Sequence, residues 1–426
     1  MGTMAESQAD WDVLVAGGGA AGLMASISAA EAGARVLVLE KNPRPGVKIL
    51  MSGGSRCNIT QHCDNRGIVN AYGRKGKFLH SPLASFSTRD TIEFFEAEGV
   101  ATKVEETGKV FPVSNRASDV LQALIQRAER AGVTFRCLEP VQKIQPTPNH
   151  FRVVSRNATH HASTIVLTTG GLSFPRCGTT GDGFNFAAQM GHTIVPTRPA
   201  LVPLALSDPW VKELAGITIP DVCLTLSKQA PGAQEERIGA TKGSMLFTHV
   251  GITGPCPLNL TRLETEWNLP EYLVLEADFL PDRSPERSNE WIILSAKENG
   301  KRSLASLLSD LLPRRLVDFL IGQEAVLNCK LSELSKAQRA MAVNAFKKKP
   351  LTVLGDLGYA KAEVTAGGVA LEEVDFKTMQ SRIQPRLFLA GEVLDLDGPI
   401  GGFNFQAAWS TGWLAGTNAA RIARSP

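Results

Sequence analysis

Residues 12–40 read DVLVAGGGAAGLMASISAAEAGARVLVLE, and the rest of the chain is best understood from them outward. Asp12 to Ala16 form a short apolar run rich in β-branched residues, the pattern of a buried parallel strand. Gly17-Gly18-Gly19-Ala20-Ala21-Gly22 follows at once and satisfies G-x-G-x-x-G. A small-residue helix is predicted over Leu23–Ala32, stopping at Gly33, and a second strand over Arg35–Leu39 ends on Glu40. Each part has a physical task. Gly17 makes the tight turn, Gly19 lets a pyrophosphate approach the backbone, and Gly22 permits close packing of helix on strand. Ala20 and Ala21 open the helix, whose unpaired N–H groups and positive dipole end favour phosphate. Glu40, with Lys41 beside it, stands about twenty residues on, where a carboxylate accepts hydrogen bonds from an adenosine ribose. A glycine-rich turn alone would be weak evidence. Strand, turn, helix, second strand and terminal acid in register predict a dinucleotide site, without separating FAD from NAD.

The other end of the chain bears on that choice. Residues 386–390, RLFLA, read as a strand, followed by Gly391-Glu392 and, three residues on, Asp395. Gly401-Gly402-Phe403-Asn404 then open a helix rich in small residues over Ala407–Ala420. Such a helix start stabilises negative charge on a reduced flavin ring, and Glu392 or Asp395 is placed to hold ribityl hydroxyls. The plainer reading is that these glycines only cap helices and end strands. A nicotinamide-only dehydrogenase has no need of a second constellation, so FAD is favoured.

Residues 46–60, GVKILMSGGSRCNIT, resemble the K-x-x-x-S-G-x-G-R-C-N-x-T stretch of a family of FAD-binding flavoproteins variously named for aminoacetone oxidase, BaiN and RdsA. The resemblance continues through GKVFPVSNRASDV (108–120), TTGGLSFPRCGTTGDGF (168–184), LFTHVGITGP (246–255), AEVTAGGV (362–369) and GEVLDLDGPIGGFNFQAAWSTGWLAG (391–416). One departure is Ser55, where the family usually carries glycine. The resemblance implies an α/β protein with a Rossmann-type, glutathione reductase-like FAD-binding domain, an inserted β-barrel-like unit and a small helical unit. It also implies that the Gly/Ser-rich loop with Lys48, Gly53, Gly54, Arg56, Cys57 and Asn58 runs over the pyrophosphate toward the isoalloxazine. Val141 would supply a backbone contact to adenine, and Thr169-Gly170-Gly171 would pass close to the cofactor.

The texture of the chain agrees with that organisation. Residues 1–195 form the first part of the flavin domain, and 196–285 are rich in short β-like runs such as LVPLAL and YLVLEA. Residues 286–349 turn helical, with apolar residues at three and four spacing, and 350–426 return to the flavin domain. Seven scattered cysteines without a C-x-x-C pair argue against a disulfide framework or a metal site. The first residues lack an apolar signal core, and no apolar run approaches the roughly 18 residues of a membrane span, so a cytoplasmic location is expected. A formal charge of +3 says little about partners.

In this setting the flavin performs the redox step and the protein supplies orientation, a proton donor and a pocket. No second Rossmann fingerprint is present, so NADH or NADPH is expected to dock transiently. Cys57 is the candidate proton donor, since a cysteine beside Arg56 can have a lowered pKa; the bland reading is a small buried residue under a glycine loop. The resemblance implies three substrate classes: uridine in large-subunit (23S) ribosomal RNA, reduced to dihydrouridine; steroid- or bile-acid-like enones; and amines, oxidised in the manner of aminoacetone. Charge adds a hint toward RNA. Residues 41–130 hold 14 Lys/Arg against 9 Asp/Glu, and 286–350 hold 12 against 7. Arg74-Lys75-Gly76-Lys77, Arg314-Arg315 and Lys347-Lys348-Lys349 are the runs that would meet a phosphate backbone, or else are ordinary solvated faces.

Overall fold

The computed structural model describes residues 9–229, 232, 234–263, 272–322, 326 and 328–425. They divide into two compact units, one running to Pro199 and resuming at Glu363, the other Ala200–Ala362.

The first unit is built on a sheet ordered Val374–Asp375, Gln380–Ser381, Leu387–Leu389, Thr159–Leu167, Trp11–Ala16, Val36–Leu39 and Thr134–Arg136. Its central strands are parallel, with Val13 opposite Val36, Leu14 opposite Ile165 and Leu387 opposite Ile165. Val13, Leu14, Val15, Leu37 and Val38 are fully buried. This is why both predicted strands read as continuous apolar runs rather than alternating ones. Val141–Pro146 and Phe151–Ser155 extend the sheet as an antiparallel meander onto Thr159–Leu167.

Two helices dominate one face. Ala20–Glu31 is buried from Ala21 to Ala30, the expectation for a helix apolar all round. Phe403–Arg424 lies against it, longer at both ends than its sequence pattern indicated. A Cβ on Gly412 or Gly416 would fall inside contact distance of the Ala21 and Ala25 carbonyls, so small residues set this close approach. Ser28 Oγ donates to the Trp413 carbonyl across the same seam at 2.9 Å.

The second unit has an antiparallel sheet ordered Lys349–Leu351, Leu273–Asp278, Thr218–Lys228, Glu236–Phe247, Gly251–Thr253, Leu204–Leu206 and Val353–Asp356. Its two end strands flank Thr352, so one stretch of chain joins both edges and the sheet curls into a barrel-like form. The helices Pro285–Glu298, Arg314–Gly322 and Lys336–Lys347 bury Ile292, Leu316 and Phe346 in the core formed by these strands. The β-rich and helical stretches thus share one core.

The partition differs in detail from the sequence boundaries at 195/196 and 349/350. Ile194–Ala200 pairs with Val364–Val369 and so stays with the flavin unit almost to its end. Residues 349–356 are strands of the second unit's sheet. Within residues 46–60, Val47–Met51 form a short helix rather than loop.

Candidate active site

The parallel strands all deliver their C-terminal ends to one edge of the sheet, the edge where ligands of open α/β sheets bind. Gly17 leaves the strand Trp11–Ala16 so close to the end of Thr159–Leu167 that a Cβ would lie 2.8 Å from the Thr168 carbonyl oxygen. Thr168 Oγ1 donates to the Gly17 carbonyl at 2.8 Å and locks the two ends together. Glu40 is nearly buried, and its carboxylate accepts from Gly18 N, Asn42 N and Asn42 Nδ2, each at 2.8 Å. The glycine turn is therefore fastened to the end of the second strand. Glu139 N donates to the Glu40 carbonyl and Leu138 N to that of Asn42, which carries Val141 alongside. Lys41 Nζ meets Thr180 Oγ1 at 2.5 Å and Asp182 Oδ2 at 2.6 Å.

At Gly19 a Cβ would meet nothing within 4 Å, so open space lies before the first helix. No side chain caps that helix, nor the start of Phe403–Arg424. With Ala21 level with Gly412 and Ala25 with Gly416, the two helices run parallel. Phe403 then lies eight residues beyond the level of Ala20, so the second N-terminus projects about 12 Å further at 1.5 Å per residue. Two uncapped helix starts in line, one at the glycine turn and one farther out, fit an extended dinucleotide with its phosphates at the first and a ring system at the second.

The outer end is held by pairs remote in sequence. Lys48 Nζ meets Glu392 Oε2 at 2.7 Å, while Glu392 Oε1 accepts from Thr365 N at 2.8 Å. Gly171 packs against the same Thr365 and Glu392, following Thr169 and Gly170 from the end of Thr159–Leu167. Gly391 N donates to Thr411 Oγ1 at 3.0 Å. Asp395 Oδ1 accepts from Gly367 N at 3.0 Å and pairs with Lys75 at 2.6 Å; Asp397 reaches the same lysine at 2.9 Å. Burial alone would lower the Lys75 pKa, but Asp397 and Asp395 outweigh it and hold the ammonium above its ordinary value. Tyr72 Oη donates to the Phe403 carbonyl at 3.0 Å, and Asn404 bridges to Gly398 through both amide atoms. With its amide turned so that nitrogen donates to the Thr60 and Val110 carbonyls, Asn58 accepts from Gly402 N at 2.9 Å. Gly401 beside it adjoins Gln61.

The segment at residues 53–57 differs from its sequence reading in chemistry. Cys57 is fully buried, and burial pushes its thiol up to about 12, against a smaller opposing pull from Ser52. The expected lowering by Arg56 is absent because Arg56 faces elsewhere, with Nη1 2.8 Å from Glu105 Oε1 and its guanidinium 4.0 Å over the Phe111 ring. Gly53, Gly54, Ser55 and Cys57 all take positive φ. Ser55, at φ 66°, thus stands where glycine fits without strain.

The basic runs are partly spent on internal contacts. Lys75 is tied to its two aspartates, and Lys347 to Asp278 at 2.5 Å and the Leu280 carbonyl at 2.8 Å. Lys349 lies over the Phe319 ring at 4.9 Å, and Arg314 pairs with Asp318 at 2.6 Å. Arg74, Lys77 and Lys348 remain exposed. Sequence reasoning passed over Asp397 and Thr365 as site residues and took Lys75 only as part of a basic run. The signal for Thr365 and Asp397 was that their segments, 362–369 and 391–416, carry the family resemblance; the segment of Lys75 does not.

The family described as HI0933-like protein Rossmann domain matches residues 11–418. The chain belongs to that family. It is an FAD-binding oxidoreductase with a Rossmann-type fold. It is 33% identical over 408 residues to the ribosomal RNA dihydrouridine synthase of Escherichia coli, covering 95% of this chain and 96% of that one. The Haemophilus influenzae protein of the same name is 31% identical, with 96% and 98% covered. The 3-dehydro-bile acid delta(4,6)-reductase of Clostridium scindens is 30% identical, with 95% and 98% covered. Among solved structures, the FrdA subunit of E. coli quinol fumarate reductase superposes with a TM-score of 0.50 at 18% identity, over 97% of this chain and 70% of that one, a likeness of fold. Among the described residues no helix is long and apolar enough to cross a membrane.

Proposed function

We propose that this protein is an NAD(P)H-driven reductase of an activated C=C bond, acting in the cytoplasm on uridine of large-subunit ribosomal RNA. Bound FAD supplies the hydride chemistry; the residues described above orient it and the acceptor. The glycine turn and the Ala20 helix start hold phosphates, while Lys48, Glu392 and the Phe403 helix start fix the ring end and favour negative charge there. NADH or NADPH serves as a transient donor.

The observation that carries the RNA reading is the Gly73–Leu79 segment. Its Lys75 is anchored on Asp395 and Asp397 beside the ring end, and its Arg74 and Lys77 are exposed. Exposed cations on a segment anchored beside a redox site suit phosphate contacts that position a nucleotide. The two relatives named for ribosomal RNA dihydrouridine synthesis support the same acceptor. The test is to compare dihydrouridine in ribosomal RNA from cells with and without the gene. Loss of one dihydrouridine, restored by the wild-type gene, is expected; unchanged RNA sinks the RNA assignment.

A second reading is a small-molecule enone reductase, favoured by the full-length likeness to the bile acid reductase. Hydride and proton would add to the same kind of bond, a C=C conjugated with a carbonyl.

A further inference from the structure

Glu363 stands outside every role described so far. It immediately precedes Val364–Val369, a strand whose six residues are all buried, yet its own side chain is exposed. The strand is pinned where it begins. Thr365 N donates to Glu392, and Thr365 Oγ1 accepts from Leu172 N at 2.8 Å and Ser173 N at 3.1 Å. Two cations lie within electrostatic reach of the Glu363 carboxyl, Lys48 and Lys109. Both belong to the ring end. Lys48 is the partner of Glu392, and Lys109 is paired in register with Gln61, the neighbour of Gly401. Solvent reaches the carboxyl, but protein crowds it, and this desolvation raises the Glu363 pKa from its ordinary value against the opposing pull of Lys48 and Lys109.

The other acids at this end are committed. Glu392 is held by Lys48 and Thr365, and Asp395 and Asp397 by Lys75. The Cys57 thiol is sealed in the interior.

We propose that Glu363 is the proton donor of the reduction, an assignment that rests on the reading of this protein as a C=C reductase. Hydride from the reduced flavin forms a C–H bond at one carbon of the acceptor double bond, and the π pair moves to the neighbouring carbon. The Glu363 O–H bond breaks toward that carbon, forming the second C–H bond. The acceptor gains two electrons and the flavin loses two. The carboxylate left behind is countered by Lys48 and Lys109 and regains its proton from water.

The experiment uses the FAD-loaded full chain as wild type, Glu363→Gln and Glu363→Asp, with flavin absorbance followed anaerobically. Both variants are expected to bind FAD and to be reduced by NAD(P)H within about twofold of wild type. Reoxidation by unmodified ribosomal RNA or by a conjugated enone is expected to fall about 10²- to 10⁴-fold in Glu363→Gln, with partial recovery in Glu363→Asp. A raised carboxyl pKa contributes stability below its unfolded value that is lost as pH rises through the folded value. Glu363→Gln is therefore expected to unfold at the wild-type temperature or above it at pH 8. Reoxidation of Glu363→Gln at the wild-type rate would overturn the assignment, as would loss of FAD or a clear drop in unfolding temperature. If the wild type reduces neither acceptor, the reductase reading fails by itself. The flavin spectrum then decides the placement: a pH-dependent change in it that vanishes in Glu363→Gln supports it, and no such change overturns it.

Discussion

Lys48 Nζ and Glu392 Oε2 lie 2.7 Å apart although 344 residues separate them in the chain. The other oxygen of the same carboxylate accepts from Thr365 N. One side chain thus ties together the helix after the second strand, the strand that resumes the flavin unit, and the glycine–acid turn before the last helix. All three segments are needed to shape the outer end of the site.

Glu392→Gln should weaken FAD binding. The change leaves the Lys48 ammonium without its counter-charge in a partly buried position. Hydrogen bonds to charged groups are worth about 1.5–3 kcal/mol, so affinity should fall roughly tenfold to a hundredfold. Equilibrium dialysis of the yellow protein reads this directly, and an unchanged affinity would place the pair away from the cofactor.

Gly416→Val should prevent the close approach of the first and last helices. The added carbons would run into the Ala25 carbonyl and Ser28 Oγ. Overpacking of this kind costs about 1–3 kcal/mol, and a backbone carbonyl yields less than a side chain. A lower denaturation midpoint with loss of bound flavin is expected; Gly416→Ala should show the same trend more weakly.

What was legible from sequence follows from distance along the chain. The turn from Gly17 to Gly22 and the acid at Glu40 announce themselves because strand, helix and strand fit within about thirty residues. The Lys48–Glu392 and Lys75–Asp395 pairs join segments more than three hundred residues apart, and no local pattern marks them. Burial is equally hidden. Cys57 beside Arg56 reads as an activated thiol until the arginine is found on Glu105 and the sulfur in the core. Lys347-Lys348-Lys349 reads as one basic patch, yet helix and strand geometry turn its first member onto Asp278 and its last over an aromatic ring. Glu363 carries no signal of its own in a single sequence; only the buried strand that follows and the lysines within electrostatic reach distinguish it.

Cys57→Ala should leave reduction of the acceptor within about threefold of wild type, at a stability cost of about 1 kcal/mol for the lost sulfur contacts. A thiol pushed up to about 12 and fully buried gives neither thiolate nor access. Native protein should resist alkylation at Cys57, as mass spectrometry of the modified peptides would show. Fast alkylation, or a hundredfold loss of turnover, would restore Cys57 as the donor.

Acidification should destabilise the flavin unit through His192. Its ring is fully buried, with Nδ1 3.1 Å from Glu373 Oε2 and Nε2 2.8 Å from Ser381 Oγ. The order suggests a hydrolytic triad, but Ser381 Oγ also accepts from Ile383 N and Gln384 N, which makes it a structural clasp. Burial lowers the His192 pKa despite the opposing Glu373. A depressed pKa contributes stability present above the unfolded value of 6.5 and lost as pH falls through the folded one. The unfolding temperature should therefore decline below pH 6.5. His192→Gln should start lower at pH 7.5 and lose less between pH 6.5 and 5; a parallel decline in both proteins would remove His192 from the account.

Arg74→Ala combined with Lys77→Ala separates the two substrate readings. Both side chains are exposed on a segment whose Lys75, between them, is anchored to Asp395 and Asp397. Removing two phosphate contacts should lower RNA affinity at every sequence alike. It should also reduce the log–log dependence of binding on salt by about 1.5, since each contact contributes roughly 0.7–0.9. FAD content, flavin reduction by NAD(P)H and turnover of a small enone should stay within about twofold, because neither residue makes an ion pair among the described residues that fix the ring. An RNA affinity and salt slope equal to wild type would show that nucleic acid does not meet this face. The basic segment would then be only a brace for the last helix, and the enone reading would gain.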